Sequence, residues 1–151
     1  MDQVIYTPAV CSVCSRVHAL FHGSIHGLCA RKGSSMTLDS FYAQIGGNYQ
    51  QILQRLYREA LIRKFVLKYQ TDPTYRTLGD ALTQSDWETA FRAAHTLKGI
   101  ALNLGFDRLY ASSSALTEAL RGPKPLKDFS LWTAVQSAQQ EIISAIRALD
   151  Q

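Results

Sequence analysis

From residue 37 onward, apolar side chains recur every three or four positions, and each run is bracketed by residues that start or stop helices. Thr37 is placed to cap a short helix through about Ile45, which Gly46-Gly47 ends. Asn48 with Gln51 resembles a capping box and opens a long helix to about Tyr69, with Ile52, Leu53, Leu56, Ala60, Phe65 and Val66 among its apolar positions. Asp72-Pro73 reads as an N-cap followed by proline at the first helical position, and the short helix after it carries Leu78 and Leu82. Ser85-Asp86-Trp87-Glu88 is a capping box for the next helix, and Gly105 closes it. A helix from about Asp107 to Arg121 turns Leu109, Leu116 and Leu120 inward. After the break at Gly122-Pro123-Lys124-Pro125, a last helix from about Asp128 to Leu149 carries the stripe Leu131, Val135, Ala138, Ile142, Ile146 and Leu149. No segment alternates with period two over a useful length, so the class is all-α. Short connections between long amphipathic helices favour antiparallel neighbours. The expected architecture is an up-down antiparallel four-helix bundle with a short additional N-terminal helix.

One of these helices holds an arrangement that packing does not require. Trp87, Ala90, Ala94, Leu97, Ala101 and Leu104 form its buried seam, with Trp87 expected in the core. His95 follows Ala94 and therefore lies about 100° around the axis, at the flank of the seam. Residues three and four apart are surface neighbours, so Phe91, Arg92, Lys98, Gly99 and Leu102 surround His95 on one accessible face. A lone histidine on a helix is usually structural or merely solvated. The company of Lys98 and Gly99 and the off-seam register point to a function instead. A neutral imidazole nitrogen is a nucleophile near neutral pH. Lys98 can neutralise an anion, although a solvated lysine is its plain alternative. Gly99 costs a helix interior about 1 kcal/mol relative to alanine, and room for a partner's surface is a reason to keep it. Arg92 can assist or contact the partner, Arg108 reads as plain surface, and Phe91 and Leu102 supply apolar docking area.

Composition narrows the rest. A chain of 151 residues with 46% hydrophobic positions and a mean hydropathy of -0.09 is one ordinary globular domain with a tail. No run approaches the length of a membrane span. The net charge of +4 is scattered, and neither a basic stripe nor an aromatic-glycine RNA-binding motif is present, so no nucleic-acid partner is expected. The three cysteines, Cys11, Cys14 and Cys29, all fall in the first fifth of the chain, which argues against a disulfide-stapled fold. The start of the chain lacks the positive region of a secretory signal, and the expected location is the cytoplasm.

A boundary falls near Lys32-Gly33-Ser34-Ser35, dividing a Cys/His-rich extension (1–35) from the helical region (36–151). The extension carries Cys11, Cys14, His18, His22, His26 and Cys29 within nineteen residues. Cys11-x-x-Cys14 has zinc-site spacing, and His18, His22 and His26 fall along one helical face. A zinc site of the finger type needs a second closely spaced ligand pair, which is missing, so no metal is assigned. A redox role for the cysteine pair lacks the βαβ pattern that would accompany it. The plain reading is a loosely docked extension. Met36 stands just before Thr37, and a start there would yield the helical region alone.

The segment Ala94-His95-Thr96-Leu97-Lys98-Gly99, with Gly105 six residues on, resembles the motif of histidine-containing phosphotransfer (HPt) domains of bacterial phosphorelays. Ser85-Asp86-Trp87 before it and Leu116-Thr117-Glu118-Ala119-Leu120 after it strengthen the resemblance, which spans residues 36–151 and is most specific over 85–121. It implies a four-helix bundle with the phosphoacceptor histidine exposed in mid-helix. It implies that His95 takes a phosphoryl group from an aspartyl phosphate on the receiver domain of a hybrid sensor kinase and passes it to the receiver of a response regulator. Lys98 would support the phosphoryl oxygens and Gly99 would give the receiver access. The magnesium of such a transfer belongs to the receiver, so no cofactor is assigned to this chain. Nucleotide-binding and kinase motifs are missing, so the resemblance implies a phosphoryl carrier and not a self-contained enzyme. Two other classes fit the same residues: a helical adaptor that binds a receiver without turnover, and a metal-binding sensor built on the N-terminal Cys/His cluster.

Overall fold

Helix caps act at most of the expected places in the computed structural model, which describes residues 36–150. The Thr37 hydroxyl accepts from the Ser40 N–H at 3.2 Å and opens α1 (Leu38–Ile45). The Asn48 side chain accepts from the Gln51 N–H at 3.1 Å and opens α2 (Tyr49–Leu56). There follow α3 (Glu59–Tyr69), α4 (Thr74–Thr83), α5 (Trp87–Leu104), α6 (Asp107–Ala119) and α7 (Ser130–Leu149), with no strand among the described residues. Asp72 accepts from the Thr74 N–H at 2.8 Å across Pro73, at the start of α4. Asp128 does the same for Ser130 at 2.9 Å. None of these helices is long and apolar enough to cross a membrane. The Cys/His cluster (Cys11, Cys14, His18, His22, His26, Cys29) lies outside the described residues.

Two local expectations are corrected. The long helix from Asn48 to Tyr69 is two helices, so three helices precede α4 where two, one short and one long, were expected. Tyr57 ends α2 in the left-handed region, with φ 57, and its N–H still reaches the Leu53 carbonyl at 2.8 Å. The reason is phase. Ile52 on α2 and Ile62, Val66 and Tyr69 on α3 are all buried. On one straight helix Ile52 and Ile62 would lie about 80° apart around the axis, and the break brings both inward. It leaves Ala60 and Phe65 exposed, contrary to the unbroken register. The second correction concerns the start of α5, which Asp86 caps in place of Ser85. Ser85, at φ 59, is the left-handed residue of a Schellman ending on α4: its N–H bonds the Leu82 carbonyl at 3.3 Å, and the Asp86 N–H bonds the Ala81 carbonyl at 2.9 Å. A residue engaged in closing one helix is not in the extended conformation that an N-cap needs.

Helix α5 packs between α4 and α6, α6 packs on α7, and α7 on α1. Tyr75 of α4 stacks on Trp132 of α7, with ring centroids 5.3 Å apart. The core runs from Phe41 and Tyr42 through Leu78, Leu97, Leu109 and Leu116 to Ile142 and Ile146. Two contacts fix the C-terminal end of α5. The buried Tyr42 hydroxyl donates to the Leu104 carbonyl at 2.8 Å. Gly105, at φ 69, ends the helix so close under Ile52 that a Cβ there would sit 2.5 Å from that side chain. The C-terminal end of α5 is thus tied to α1 through Tyr42 and packed against α2 at Ile52. By contrast α3 touches α5 only lightly, and a groove separates them.

Candidate functional site

The α5 seam buries Ala90, Ala93, Ala94, Leu97, Ala101 and Leu104, which leaves His95 exposed in the middle of the helix, as its register predicts. Trp87 is only half-buried at the rim of the core, since it is the first residue of the helix and lies at its end. The Asp86 carboxylate that caps α5 accepts from the Thr89 N–H at 3.1 Å, and that bonding holds its carboxyl below the usual aspartate range. The cap fixes the first turn, and Phe91 on the second turn sets its half-buried ring 6.3 Å from the His95 ring, tilted by 43°. Phe91 thereby forms an apolar wall on one side of the imidazole.

The six residues expected on the His95 face are brought together, with different freedom. Leu102 is 49% exposed and lies two turns on, almost in line with His95 along the helix. Gly99 sits one turn on, half-exposed, and a Cβ added there would meet nothing within 4 Å. No neighbour among the described residues therefore explains this glycine, and the space above it is open to a partner. Arg92 is exposed and ion-paired with Glu88 one turn back. Its charge is already shared, which fits a rim position better than direct engagement of an anion at His95. Lys98 is half-buried and faces the side of α6 that carries Glu118. The Glu118 carboxyl is held below the usual range, first by its hydrogen bonds to Arg121 at 2.7 Å and further by the Lys98 charge. Glu118 and Arg121 satisfy one another, and Lys98 makes none of the ion pairs seen among the described residues.

Sequence reasoning missed Arg55. Its guanidinium donates to the Leu102 carbonyl at 2.9 Å, which ties the end of α2 to the last turns of α5. Nothing in the local pattern signals a contact between residues so far apart in the chain. No group of three or more His, Cys, Asp or Glu side chains that could hold a metal occurs among the described residues.

The site is thus an exposed imidazole with a cation and an unobstructed glycine beside it, on a helix packed between α4 and α6. The sequence model of the Hpt domain family matches residues 67–150, more than half of the chain, and includes all of α4 to α7 and His95. The chain belongs to the Hpt domain family, whose general activity is histidine phosphotransfer in phosphorelays. No curated protein matches the chain, and no solved structure does.

Proposed function

We propose that this chain relays a phosphoryl group between receiver-domain aspartates, with His95 as the phosphoacceptor. The observation that carries the reading is the open face of α5: His95 exposed, Lys98 near it and clear space above Gly99, all within the segment that matches the family. In the forward step an imidazole nitrogen of His95 attacks the phosphorus of the receiver's aspartyl phosphate. An N–P bond forms, the acyl O–P bond breaks, and the aspartate leaves as carboxylate. The second step reverses these bonds onto another receiver's aspartate. Such transfer depends on in-line placement and charge stabilisation more than on acid–base groups of the carrier. The rigid helix supplies the placement, Lys98 supplies positive charge beside the phosphoryl oxygens, and Phe91 limits the ring's motion on one side. Receivers bring the magnesium.

In this reading α4 to α7 form the four-helix bundle, α1 to α3 flank it, and residues 36–151 make up the phosphotransfer unit. The partners are the receiver of a hybrid sensor kinase and that of a response regulator, which places the chain in the bacterial cytoplasm. Incubation with a phosphorylated receiver tests the reading. The unaltered chain should acquire acid-labile, base-stable phosphate, and His95→Gln should fold normally and acquire none. A His95→Gln variant that still takes up phosphate would refute the assignment. An unaltered chain that binds receivers yet never becomes labelled would indicate the adaptor.

A further inference from the structure

Three features of the α2–α3 segment are not used by the site as described. The first is the groove of about 440 Å³ between α3 and α5, floored by Leu56, Phe65, Ile100 and Leu104. Phe65 is 39% exposed at its wall, and Leu61, one turn before on α3, is exposed as well. The second is Tyr57, held at φ 57 and 85% exposed. The left-handed region is costly for a bulky side chain, and a ring so exposed gains little from packing within the chain in return. The third is charge. Residues 49–69 carry Arg55, Arg58, Arg63, Lys64 and Lys68 against Glu59 alone, a surplus of four that equals the net charge of +4 of the whole chain, although Arg63 is turned to the Leu149 carbonyl at the end of α7. Around His95, by contrast, Arg92 is paired with Glu88, and Arg121 with Glu118.

These features adjoin the His95 face. Leu102 shares that face and lies about 10 Å from His95 along the helix axis. Arg55 grips the Leu102 carbonyl, and Leu56, the next residue, lines the groove. Asn103, on the groove's other wall, is a helical neighbour of Gly99. A partner covering about 800 Å² of this chain, the ordinary share of a specific interface, has a footprint about 16 Å in radius. Centred on His95, that footprint takes in Leu102 and reaches the mouth of the groove.

We propose that the α2–α3 segment, most of which precedes the stretch that matches the family, is the surface by which this chain selects its receiver. The proposal rests on the phosphorelay reading. The occupant is a receiver domain that inserts an apolar side chain into the groove beside Phe65 and sets acidic side chains, with its anionic aspartyl phosphate, against the basic surplus. Charge complementarity of this kind speeds encounter and excludes wrong partners, and the buried apolar anchor holds the complex.

The test uses the full chain and the receiver of its source organism that labels it fastest. The initial rate of labelling is measured against receiver concentration for the unaltered chain and for Phe65→Asp, Tyr57→Gly and Phe129→Asp. Phe129 is an exposed apolar residue just before α7 that neither lines the groove nor lies on α5. Phe65→Asp should raise the half-saturating receiver concentration about tenfold, the effect of losing an interface anchor. Tyr57→Gly should raise it too while raising the thermal midpoint, a pair of changes that a purely structural role for Tyr57 does not produce. Phe129→Asp sets the effect of an added surface charge. If Phe65→Asp fails to fold, Leu61→Asp carries the same expectation. Half-saturation unchanged in Phe65→Asp (or its replacement Leu61→Asp) and in Tyr57→Gly, or shifted no more than in Phe129→Asp, overturns the proposal and leaves the phosphorelay reading intact. A dimer that Phe65→Asp disperses without slowing transfer also overturns it and assigns the groove to a second copy of the chain. No labelling of the unaltered chain by any receiver removes both readings.

Discussion

Replacing Gly99 by alanine should make the protein more stable and a worse phosphoryl acceptor at once. The residue lies inside α5 with helical backbone, and a Cβ there meets no atom within 4 Å. The substitution thus introduces no clash with the described residues, and it recovers the helix propensity that glycine forfeits, about 1 kcal/mol. For a domain of this size that corresponds to a rise of about 3–5 °C in thermal midpoint. The new methyl stands one turn from His95, on the side from which a receiver must approach. If it holds an incoming aspartyl phosphate back by about 1 Å, transfer slows by up to about 100-fold. The assay pairs thermal unfolding followed by circular dichroism with rapid-quench transfer from a labelled receiver. A lower midpoint would show that the space above Gly99 is occupied by the chain itself. A higher midpoint with an unchanged transfer rate would show that the glycine is not kept for access, and the argument from open space would fail.

Three further expectations follow from local geometry. Ser85→Gly removes the left-handed strain in the Schellman ending of α4 and should stabilise the fold by about 0.5–1 kcal/mol, read as a higher thermal midpoint. Tyr42→Phe strips the buried Leu104 carbonyl of its donor and should cost about 1–2 kcal/mol by urea denaturation; a change below the error of that measurement would deny the bond its role in holding the end of α5. Because the Asp86 carboxyl is depressed in the folded protein by its bonds to Thr89, its contribution is present above the ordinary aspartate range near pH 4 and is lost as pH falls through the lower folded value. The thermal midpoint of the unaltered chain should therefore exceed that of Asp86→Asn at pH 6, and the gap should close in acid; a gap independent of pH would mean that the charge does not matter.

Most of the helices, and the whole His95 face, could be read from the sequence because both rest on local physics. Thr37 and Asn48 cap helices through bonds to residues three positions away, Asp72 holds the first N–H of α4 from two positions before it, and the register of the α5 seam fixes which side of that helix meets water. The misreadings arise where tertiary packing decides. No glycine, proline or asparagine marks the break at Tyr57, where a bulky residue takes the left-handed conformation so that Ile52 and Ile62 can both be buried. Ser85 and Asp86 are both good N-caps, and only the way α4 ends selects between them. The Arg55 contact with Leu102 and the groove beside α3 join segments distant in sequence, so neither leaves a periodic trace.

The central claim is that phosphate enters and leaves through one imidazole. Trypsin cleavage after Arg92 and Lys98 isolates the peptide of residues 93–98, which holds His95 as its only histidine. The chain is labelled from a phosphorylated receiver, a sample is quenched in base and digested, and the remainder is chased with a second, unphosphorylated receiver and magnesium. The account predicts phosphate on this peptide before the chase, and its passage to the second receiver's aspartate afterwards. Phosphate on any other peptide, or phosphate on His95 that no receiver can remove, would contradict it.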